Sequence, residues 1–362
     1  MNKGVVQKSV CDIIVPLWNK KDYTKRFVES IIGSARIPLR IIFVDNNSKD
    51  GTKEYLETLS SENGCSFEVI TNNENEGFIK AVNKGLLICD ADYICIANND
   101  LEFSKGWIEE ILSVFKMHPS VGLINPNSNN LGLKIPKRIK INDFALSLRK
   151  SNQAIFKELN FCIGFCMVTT KQVLSEVGFL SEDFLPMFFE DTDYSLRVQQ
   201  KGYLVGVAPR SYVWHAEHAS MNQLGDEKEE IFRASRKVFE RKWGKILRVA
   251  VVCSNDLEID EYLKNSLLIG RKGNYITFFV KNSFLSKEET LKKNQVEVFS
   301  NFTKKSFGSA ISFLFYLIFK KKKYDIVITK NKATRALLGL LRMCSLDSID
   351  FLAIDKIKRQ GL

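Results

Sequence analysis

The stretch Tyr93–Asp100, YICIANND, joins an apolar strand to a polar end. Its first five residues have the apolar character that predicts a buried β-strand. A chain leaving such a strand commonly turns on glycine or proline, but here it ends on two amides and one carboxylate. We therefore expect polar groups to be needed at the tip of this strand.

The same pattern of short apolar runs recurs before this stretch. Strands are predicted at 11–16 (CDIIVP), 40–45 (RIIFVD) and 66–71 (SFEVIT), and helices at 24–34, 51–60 and 77–87. This alternation indicates an α/β fold with a mostly parallel sheet and helices on both faces. Ligands of such sheets bind beyond the carboxyl ends of the strands. Asp45 ends the second strand and Asp100 follows the fourth, so both carboxylates are predicted to lie on one rim.

The last third of the chain differs from the rest in charge. Acidic and basic residues balance over residues 1–244, and the whole formal excess of +11 lies in residues 245–362. We therefore predict two domains with a boundary between residues 244 and 245. Four further apolar runs, ILRVAVVCSN, NYITFFV, VEVFS and YDIVITKN, predict a smaller, basic, Rossmann-like α/β domain.

The cysteines and the N-terminal region indicate the cellular compartment in which the protein is expected. The eight cysteines are scattered without a CxxC pair, and several lie in apolar runs, so reduced thiols are expected. The N-terminal region lacks the apolar stretch of a signal peptide, and no run reaches the roughly 18 apolar residues of a spanning helix. These features predict a cytoplasmic protein.

Seven segments in order carry a family resemblance over residues 10–244. They are IIVPLWN, IIFVDNNSKDGT, NENEGFIKAVNKGL, YICIANND, NFCIGFCMVTTKQVLSEVGFLSEDF, FFEDTDYSLRVQQKGY and VWHAEHAS. The series resembles glycosyltransferase family 2, whose members have the GT-A fold. The resemblance implies transfer of a sugar from a nucleotide-diphosphate donor, with inversion at the anomeric carbon.

The polar end of the opening stretch suits a metal ion. A divalent ion held by a carboxylate can neutralise a departing diphosphate as a Lewis acid. By resemblance Asp100 is the last residue of a DxD-type motif that binds manganese or magnesium, with Asn98 in place of the first Asp. His215 is the histidine that the resemblance places at the metal or the diphosphate, while His218 and His118 are expected to be structural. Without the other motifs, Asn-Asn-Asp would be an ordinary turn.

The donor is expected to contact several other positions. Asp45 can accept hydrogen bonds from a ribose hydroxyl or a pyrimidine N–H, and its alternative role is a helix N-cap. Lys80, one turn into a predicted helix, faces either the phosphates or solvent. The donor-binding residues implied by the resemblance are Pro16, Asp45, Asn75, Gly77, Lys80, Asn98, Asn99 and Gly164.

The acidic segment FFEDTDY carries the expected catalytic base. Direct inversion needs a carboxylate that takes the proton from the acceptor hydroxyl. By resemblance Asp191 is this base, and Glu190 contacts the acceptor. Both are predicted in the first turn of a helix, on which Asp193 and Arg197 would form an ion pair. The alternative is that these acids only cap the helix.

The second domain suggests a partner surface. Residues 306–319 are apolar and precede four lysines, 320–323, which suits either an anionic membrane surface or a helix buried in the domain. Its segment LFYLIFKKKKYDIVITKN is similar to the end of the first half of a GT-B glycosyltransferase, and a binding or orienting role is expected. No aromatic-basic interleaving supports nucleic-acid binding.

These patterns lead to one main hypothesis and two alternatives. We expect an inverting, metal-dependent glycosyltransferase on the inner face of the membrane, acting on a glycan or lipid-linked acceptor in surface polysaccharide assembly. A catalytically silent sugar-nucleotide or glycan binder, suggested by Asn98, and a membrane-associated scaffold stay open as alternatives.

Overall fold

The computed structural model of the chain describes residues 8–151, 155–216, 227–253, 262, 265–281, 303–307, 324–340, 345–346 and 354. By their contacts they form two units. The first comprises residues up to Phe156 together with Cys162–Arg236, and the second comprises Lys157–Phe161 and the chain from Lys237 onward. The assignment of separate functions to residues 1–244 and 245–362 stays a prediction.

The first unit is an α/β structure. Its strands are β1 (Cys11–Leu17), β2 (Leu39–Asp45), β3 (Cys65–Thr71), β4 (Tyr93–Ala97), β5 (Leu101–Phe103), β6 (Val121–Asn127), β8 (Cys166–Thr170) and β9 (Leu204–His215), with β7 (Lys157–Glu158) in the inserted segment of the second unit. Its helices are α1 (Lys21–Ile32), α2 (Thr52–Glu57), α3 (Phe78–Leu87), α4 (Trp107–Met117), α5 (Ile141–Ser151), α6 (Lys171–Val177) and α7 (Glu190–Gln200). Helix α8 (Glu227–Trp243) begins in this unit.

The sheet of the first unit runs in the order β3-β2-β1-β4-β8-β6-β9-β5. Strand β1 is parallel to both β2 and β4, and β6 is parallel to β9. Strand β8 is antiparallel to β4 and β6, and β5 is antiparallel to β9. The carboxyl ends of β2, β4 and β9 therefore meet the amino end of β8 at one edge, called here the carboxyl edge. This mostly parallel α/β sheet with its helices confirms the predicted fold class.

The sequence explains why the central strands lie inside the sheet. All seven residues of β1 are buried, as expected for a strand covered by helices on both faces, whereas all but the first residue of the end strand β3 are partly or fully exposed. Helix α3 packs close to β1 because Gly85 has no side chain. A Cβ there would lie 2.5 Å from Ile14 Cγ2, so a larger residue would force the helix off the sheet.

The predicted elements of the first unit are present with shifted ends. Helix α1 begins three residues before its predicted start, and α2 is shorter than predicted. The helix containing the acidic segment begins at Glu190, as predicted. Arg197 Nε donates to Asp193 Oδ2 at 2.8 Å, which confirms the expected ion pair.

The second unit contains a parallel five-stranded sheet. Its strands are β10 (Arg248–Cys253), β11 (Tyr275–Lys281), β12 (Thr303–Phe307), β13 (Ile326–Ile328) and β14 (Ser345–Leu346), and α9 (Lys332–Leu340) follows β13. The order β12-β11-β10-β13-β14, with every pair parallel, is that of a Rossmann-like sheet. The predicted strand VEVFS, at 296–300, lies outside the described residues.

Candidate active site

The carboxyl edge gathers most of the predicted site residues. Asp45 ends β2, the Asn98–Asp100 turn follows β4, and His215 ends β9. Gly164 precedes β8, which enters the sheet at this same edge. The fold therefore brings together polar groups that are up to 170 positions apart in the sequence.

Asp100 and His215 lie against each other. His215 Nε2 is 2.9 Å from Asp100 Oδ1, and both side chains are buried. The pairing of β5 with β9 sets this contact, because Leu101, which follows Asp100, lies opposite His215. The two residues predicted to bind a metal are thus neighbours, although their role as ligands stays a prediction.

Three residues that the sequence did not single out hold His215. Asn129 fixes its backbone in both directions, accepting from the His215 N–H at 2.9 Å and donating to its carbonyl at 2.8 Å. The Asn130 side-chain amide lies 2.5 Å from His215 Nδ1, and Phe165 stacks on the imidazole ring. The asparagine run at the end of β6 was the available signal. The orientation of the ring is therefore determined by neighbouring elements.

Asp100 and His215 have side chains that are suited to a divalent ion. Carboxylate oxygen and neutral imidazole are both suitable ligands for manganese. Asn130 Nδ2 is the atom next to His215 Nδ1, so in this arrangement Nδ1 accepts and Nε2–H faces Asp100 Oδ1. Rotation of the Asn130 amide, which brings its oxygen to Nδ1–H, would leave the Nε2 lone pair for an ion. Among the described residues no group of three or more His, Cys, Asp or Glu could hold an ion. Asp100 and His215 therefore fit a site that a ligand's oxygens must complete.

Asn98 and Asn99 have different surroundings within the turn. Asn98 Nδ2 lies 3.4 Å from His215 Nε2, so this residue is beside the candidate metal pair. The Asn99 side chain is buried and donates to Thr24 Oγ1 on α1 at 3.1 Å. Asn99 thus anchors the turn to the first helix. Contact of either residue with a donor stays a prediction.

Asp45 has one satisfied and one unsatisfied oxygen. Its Oδ1 accepts from the Ser48 N–H at 3.1 Å and from Ser48 Oγ at 2.5 Å. Its Oδ2 is buried and has no hydrogen-bond partner among the described residues. Buried carboxylate oxygens are nearly always hydrogen-bonded, so this atom is a candidate acceptor for a ligand N–H or O–H.

The end of β1 lies beside Asp45. Leu17 pairs with Asp45, and Pro16 is buried one position earlier. Trp18, which directly follows β1, has a side chain that is 41% exposed, and this residue was not singled out from the sequence. An exposed indole at this edge offers an apolar face to a ligand, since flat rings stack favourably.

The loop before α3 contains the other predicted donor residues. Asn75 Oδ1 accepts from the Gly77 N–H at 3.0 Å, and Gly77 has a φ of 83°, which favours glycine. A Cβ on Gly77 would contact Pro186 at 3.5 Å. Lys80 is half-buried on the first turn of α3. The Asn75 hydrogen bond and the positive φ of Gly77 shape the loop before α3, which accounts for both residue types without a ligand. Their contacts with a donor stay predictions.

Asp191 is held by hydrogen bonds to both of its oxygens. Its Oδ2 accepts from the Gly164 N–H at 2.8 Å, and its Oδ1 accepts from the Thr192 N–H at 2.6 Å. Burial raises the pKa of Asp191, and the hydrogen bonds from Gly164 and Thr192 counteract part of that shift. The carboxylate is thus fixed in direction while its affinity for a proton is increased.

Gly164 is placed against the acid pair. A Cβ there would lie 3.4 Å from both Cβ and Oδ2 of Asp191 and 3.7 Å from Glu190 Oε1. The turn around it is fixed by Asn125, which accepts from the Ile163 N–H at 2.8 Å and donates to the Cys166 carbonyl. The residue was predicted to let a strand pass a donor sugar. In the structure its contact is with the predicted base, and its donor contact is untested.

Glu190 is buried, and its Oε2 has no hydrogen-bond partner among the described residues. Burial, together with the charge of Asp191, raises the pKa of Glu190 to about 8. Its carboxyl group is therefore mostly protonated at neutral pH and can donate a hydrogen bond. Two adjacent acids with different pKa values can take different roles, one as base and one as donor.

Glu190→Gln should stabilise the protein at alkaline pH. A carboxyl whose folded pKa is raised from 4.5 to about 8 weakens the fold as pH rises through that window, because the unfolded chain loses this proton first. Glutamine does not titrate, so the variant does not lose this stability as the pH rises. We expect the melting temperature of the variant to exceed wild type by a few degrees at pH 8.5, with no gain at pH 4. An exposed control, Glu182→Gln, should show no such dependence. Equal profiles for both variants would refute the raised pKa.

The residues before Glu190 have an unusual backbone. Phe188 and Phe189 have φ values of 75° and 69°, in the left-handed region that costs a bulky residue about 1–2 kcal/mol. Such conformations persist only where surrounding contacts hold them, and they are common at active sites. The strain therefore supports the placement of a functional site at the start of α7.

The chain has two other histidines, both of which were expected to be structural. His118 directly follows the last residue of α4, and its ring lies 6.3 Å from that of Phe156, consistent with the structural role expected of it. His218 lies outside the described residues. The candidate site therefore uses one histidine among those that the structure describes.

Comparisons with known proteins agree with this geometry. Residues 12–178 match the family model for Glycosyl transferase family 2, which confirms the predicted resemblance over that stretch. Human polypeptide N-acetylgalactosaminyltransferase 18 is 26% identical over 221 residues, which cover 55% of this chain and 36% of that protein. The chain thus spans about a third of that relative's length.

A bacterial relative and one solved structure extend the comparison. The N-acetylglucosaminyl-diphospho-decaprenol L-rhamnosyltransferase of Mycobacterium tuberculosis is 20% identical over 237 residues, covering 57% of this chain and 76% of that protein. Mannosyltransferase PcManGT from Pyrobaculum calidifontis, solved with GDP-Man and Mn²⁺, matches with a TM-score of 0.50 and 14% identity, over 93% of this chain and 80% of that one. This likeness shows the fold, which is GT-A.

Proposed function

We propose that the first unit transfers a sugar from a nucleotide-diphosphate donor to an acceptor hydroxyl, with inversion at the anomeric carbon. One observation carries the proposal: the fixed, half-buried carboxylate of Asp191 lies on an element that contacts the same carboxyl edge as Asp45 and the Asp100–His215 pair. A base, a hydrogen-bond acceptor for a nucleoside and a pair of metal ligands are the groups that this reaction requires.

The proposed reaction assigns one step to Asp191. As the acceptor oxygen forms a bond to the anomeric carbon, Asp191 takes the hydroxyl proton, and the bond from that carbon to the diphosphate breaks with its electron pair. The Gly164 and Thr192 N–H groups hold the carboxylate while it receives the proton. The neighbouring Glu190, protonated at neutral pH, donates a hydrogen bond to an acceptor oxygen.

The donor is proposed to bind across the carboxyl edge. Asp45 Oδ2 accepts from the nucleoside, whose base lies against the Pro16 end of β1 and the exposed Trp18. Asp100 and His215 would hold manganese or magnesium, which when bound neutralises the charge of the diphosphate. Asn98 adjoins this pair and replaces a charged ligand with a neutral amide.

The acceptor is proposed to be a glycan or a lipid-linked sugar. The mycobacterial relative is named for transfer to N-acetylglucosaminyl-diphospho-decaprenol, which supports this class. Surface polysaccharide assembly at the inner face of the membrane is the setting that we propose. Within the described part of the chain, no helix combines the length and the apolar character that crossing a bilayer needs.

A thermal-shift screen tests donor binding. A ligand that binds only the folded state raises its stability in proportion to the logarithm of concentration over Kd. We expect at least one nucleotide-diphosphate sugar, with manganese, to raise the melting temperature by several degrees at about a hundred times its Kd. Asp45→Ala should abolish most of that shift, because the nucleoside loses its acceptor oxygen. Glu57→Ala, at an exposed position on α2, is the matched control. No shift with any such donor would contradict the proposal.

A catalytically silent binder is the second candidate, because Asn98 lacks the charge of a metal ligand. The pair of acids favours catalysis, since a binding protein has no need for a fixed base beside a protonated carboxyl. Release of nucleoside diphosphate distinguishes the two. An enzyme turns over the donor that stabilises it, and a silent binder does not.

The second unit is proposed to bind or orient the acceptor. Its excess positive charge suits an anionic membrane surface. Of the predicted apolar segment, residues 306 and 307 lie in β12, and 308–319 and the lysines 320–323 lie outside the described residues. Membrane contact and a GT-B relationship therefore stay predictions.

A further inference from the structure

An exposed apolar surface lies directly before the acid pair. We call it the apolar patch and define it as Leu185, Pro186, Phe188, Phe189 and Phe232. Leu185 is 37% and Phe232 is 42% exposed, Pro186 is exposed, and the other two are half-buried. Single exposed apolar residues need no explanation, but a contiguous group commonly marks a binding surface.

Contacts from α8 and from the loop before α3 hold the apolar patch in place. The Phe232 ring, on α8, lies 5.5 Å from the Phe188 ring and 5.3 Å from the Phe189 ring. Ser235 Oγ, one turn further along α8, donates to the Met187 carbonyl at 2.8 Å. On the other side, Pro186 packs against Gly77 before α3. The surface is therefore a fixed part of the first unit.

The apolar patch adjoins the predicted base along the chain. Phe189 precedes Glu190, and its carbonyl accepts the first hydrogen bond of α7, from the Asp193 N–H at 2.8 Å. Asp191 is thus two residues from the end of the patch. A molecule whose hydroxyl reaches Asp191 therefore binds within two residues of this surface along the chain.

We propose that the apolar patch binds the uncharged hydrocarbon portion of the acceptor, next to the sugar that receives the transfer. This inference rests on the proposed function for the statement that the acceptor binds at Asp191. The segment Leu185–Phe189 contains no charged residue, so it offers no partner to an anionic or cationic group. A saturated or prenyl chain gains affinity by covering such a surface, up to about fourfold for each fully buried methylene.

Alkyl β-D-glucopyranosides with methyl, butyl, hexyl and octyl chains test the patch on the full-length protein. They share one sugar and differ only in apolar length, so the change in Kd along the series reports chain burial. Below the micellar concentration, we expect Kd to fall about twofold to fourfold per methylene over part of the series. Phe232→Ser and Leu185→Ser should each remove most of this dependence. Leu87→Ser, at a 69% exposed position at the end of α3, should keep it.

Each outcome decides the proposal. Equal Kd values for methyl and octyl glucoside in the wild-type protein would overturn it, as would an unchanged dependence in both folded patch variants. A dimer that dissociates in these variants would assign the patch to a second copy instead. A diazirine-bearing octyl glucoside should label residues 185–189 or α8, which tests the surface even if a variant misfolds.

Donor binding is measured in parallel, so that the two proposals fail separately. Patch variants should keep the thermal shift that a nucleotide sugar produces, because the residues proposed for the nucleoside lie at the ends of β1 and β2 and neither substituted residue is among them. Chain-length dependence without any donor binding would refute the proposed function and leave the patch as an apolar binding surface. Donor binding without chain-length dependence would refute the patch alone.

Discussion

Asp191→Asn lowers turnover about a hundredfold or more and leaves donor affinity within about twofold. The expectation follows from the role of a general base, whose removal typically costs between a hundredfold and ten-thousandfold in rate. Asparagine keeps the size of the side chain and can still accept from the Gly164 N–H, but it cannot take the acceptor proton. The measurement is the steady-state release of nucleoside diphosphate, with donor affinity taken from thermal shifts.

Asp183→Asn is the matched control for this experiment. It makes the same substitution at an exposed carboxylate eight residues earlier, and we expect wild-type turnover. Glu190→Gln should keep much of the activity at pH 7, because glutamine resembles the protonated acid. Full turnover in Asp191→Asn would move the role of base to Glu190 or to another residue.

Asp100→Ala produces the second large effect, a joint loss of metal and donor binding. An ion that joins the protein to a diphosphate couples the two affinities, so the removal of a ligand weakens both. We expect at least a tenfold rise in the Kd for manganese and for the donor, with a smaller rise in His215→Ala. Calorimetric titration of manganese, with and without nucleoside diphosphate, measures both quantities.

Asp92→Ala controls for the loss of a carboxylate alone. Asp92 is exposed and precedes β4, so it lies at the opposite edge of the sheet from Asp100. The Asp92→Ala variant should bind manganese and the donor with the same Kd values as the wild-type protein. Full activity in excess chelator would show that Asp100 does not act through a metal ion.

The sequence predicted the parts of the site that follow from strand order. Asp45 and Asp100 lie at one edge because parallel strands share the direction of their carboxyl ends, and this rule needs only the alternation of strands and helices. Glu190 was placed at a helix start from the apolar residues before it, and the helix begins there. Local pattern and one topological rule were sufficient for these residues.

Residues that act through tertiary contacts could not be predicted in this way. Asn129 and Asn130 reach His215 from 85 or more positions away, and Asn125 reaches across 41 positions to Cys166. Phe232 belongs to a helix that follows the family motifs, so its contact with Phe189 has no local signal. The raised pKa of Glu190 likewise depends on burial, which the helix start did not determine.

The anomeric configuration of the first sugar released tests the central claim most directly. The full-length protein would be incubated with an α-linked nucleotide-diphosphate sugar that stabilises it, with manganese and with water as the acceptor, and proton NMR would record the anomeric signals before mutarotation. If Asp191 activates the attacking oxygen for direct displacement, the β-anomer appears first, and Asp191→Asn slows its appearance about a hundredfold or more. Initial release of the α-anomer, or equal rates in the two proteins, would contradict this account.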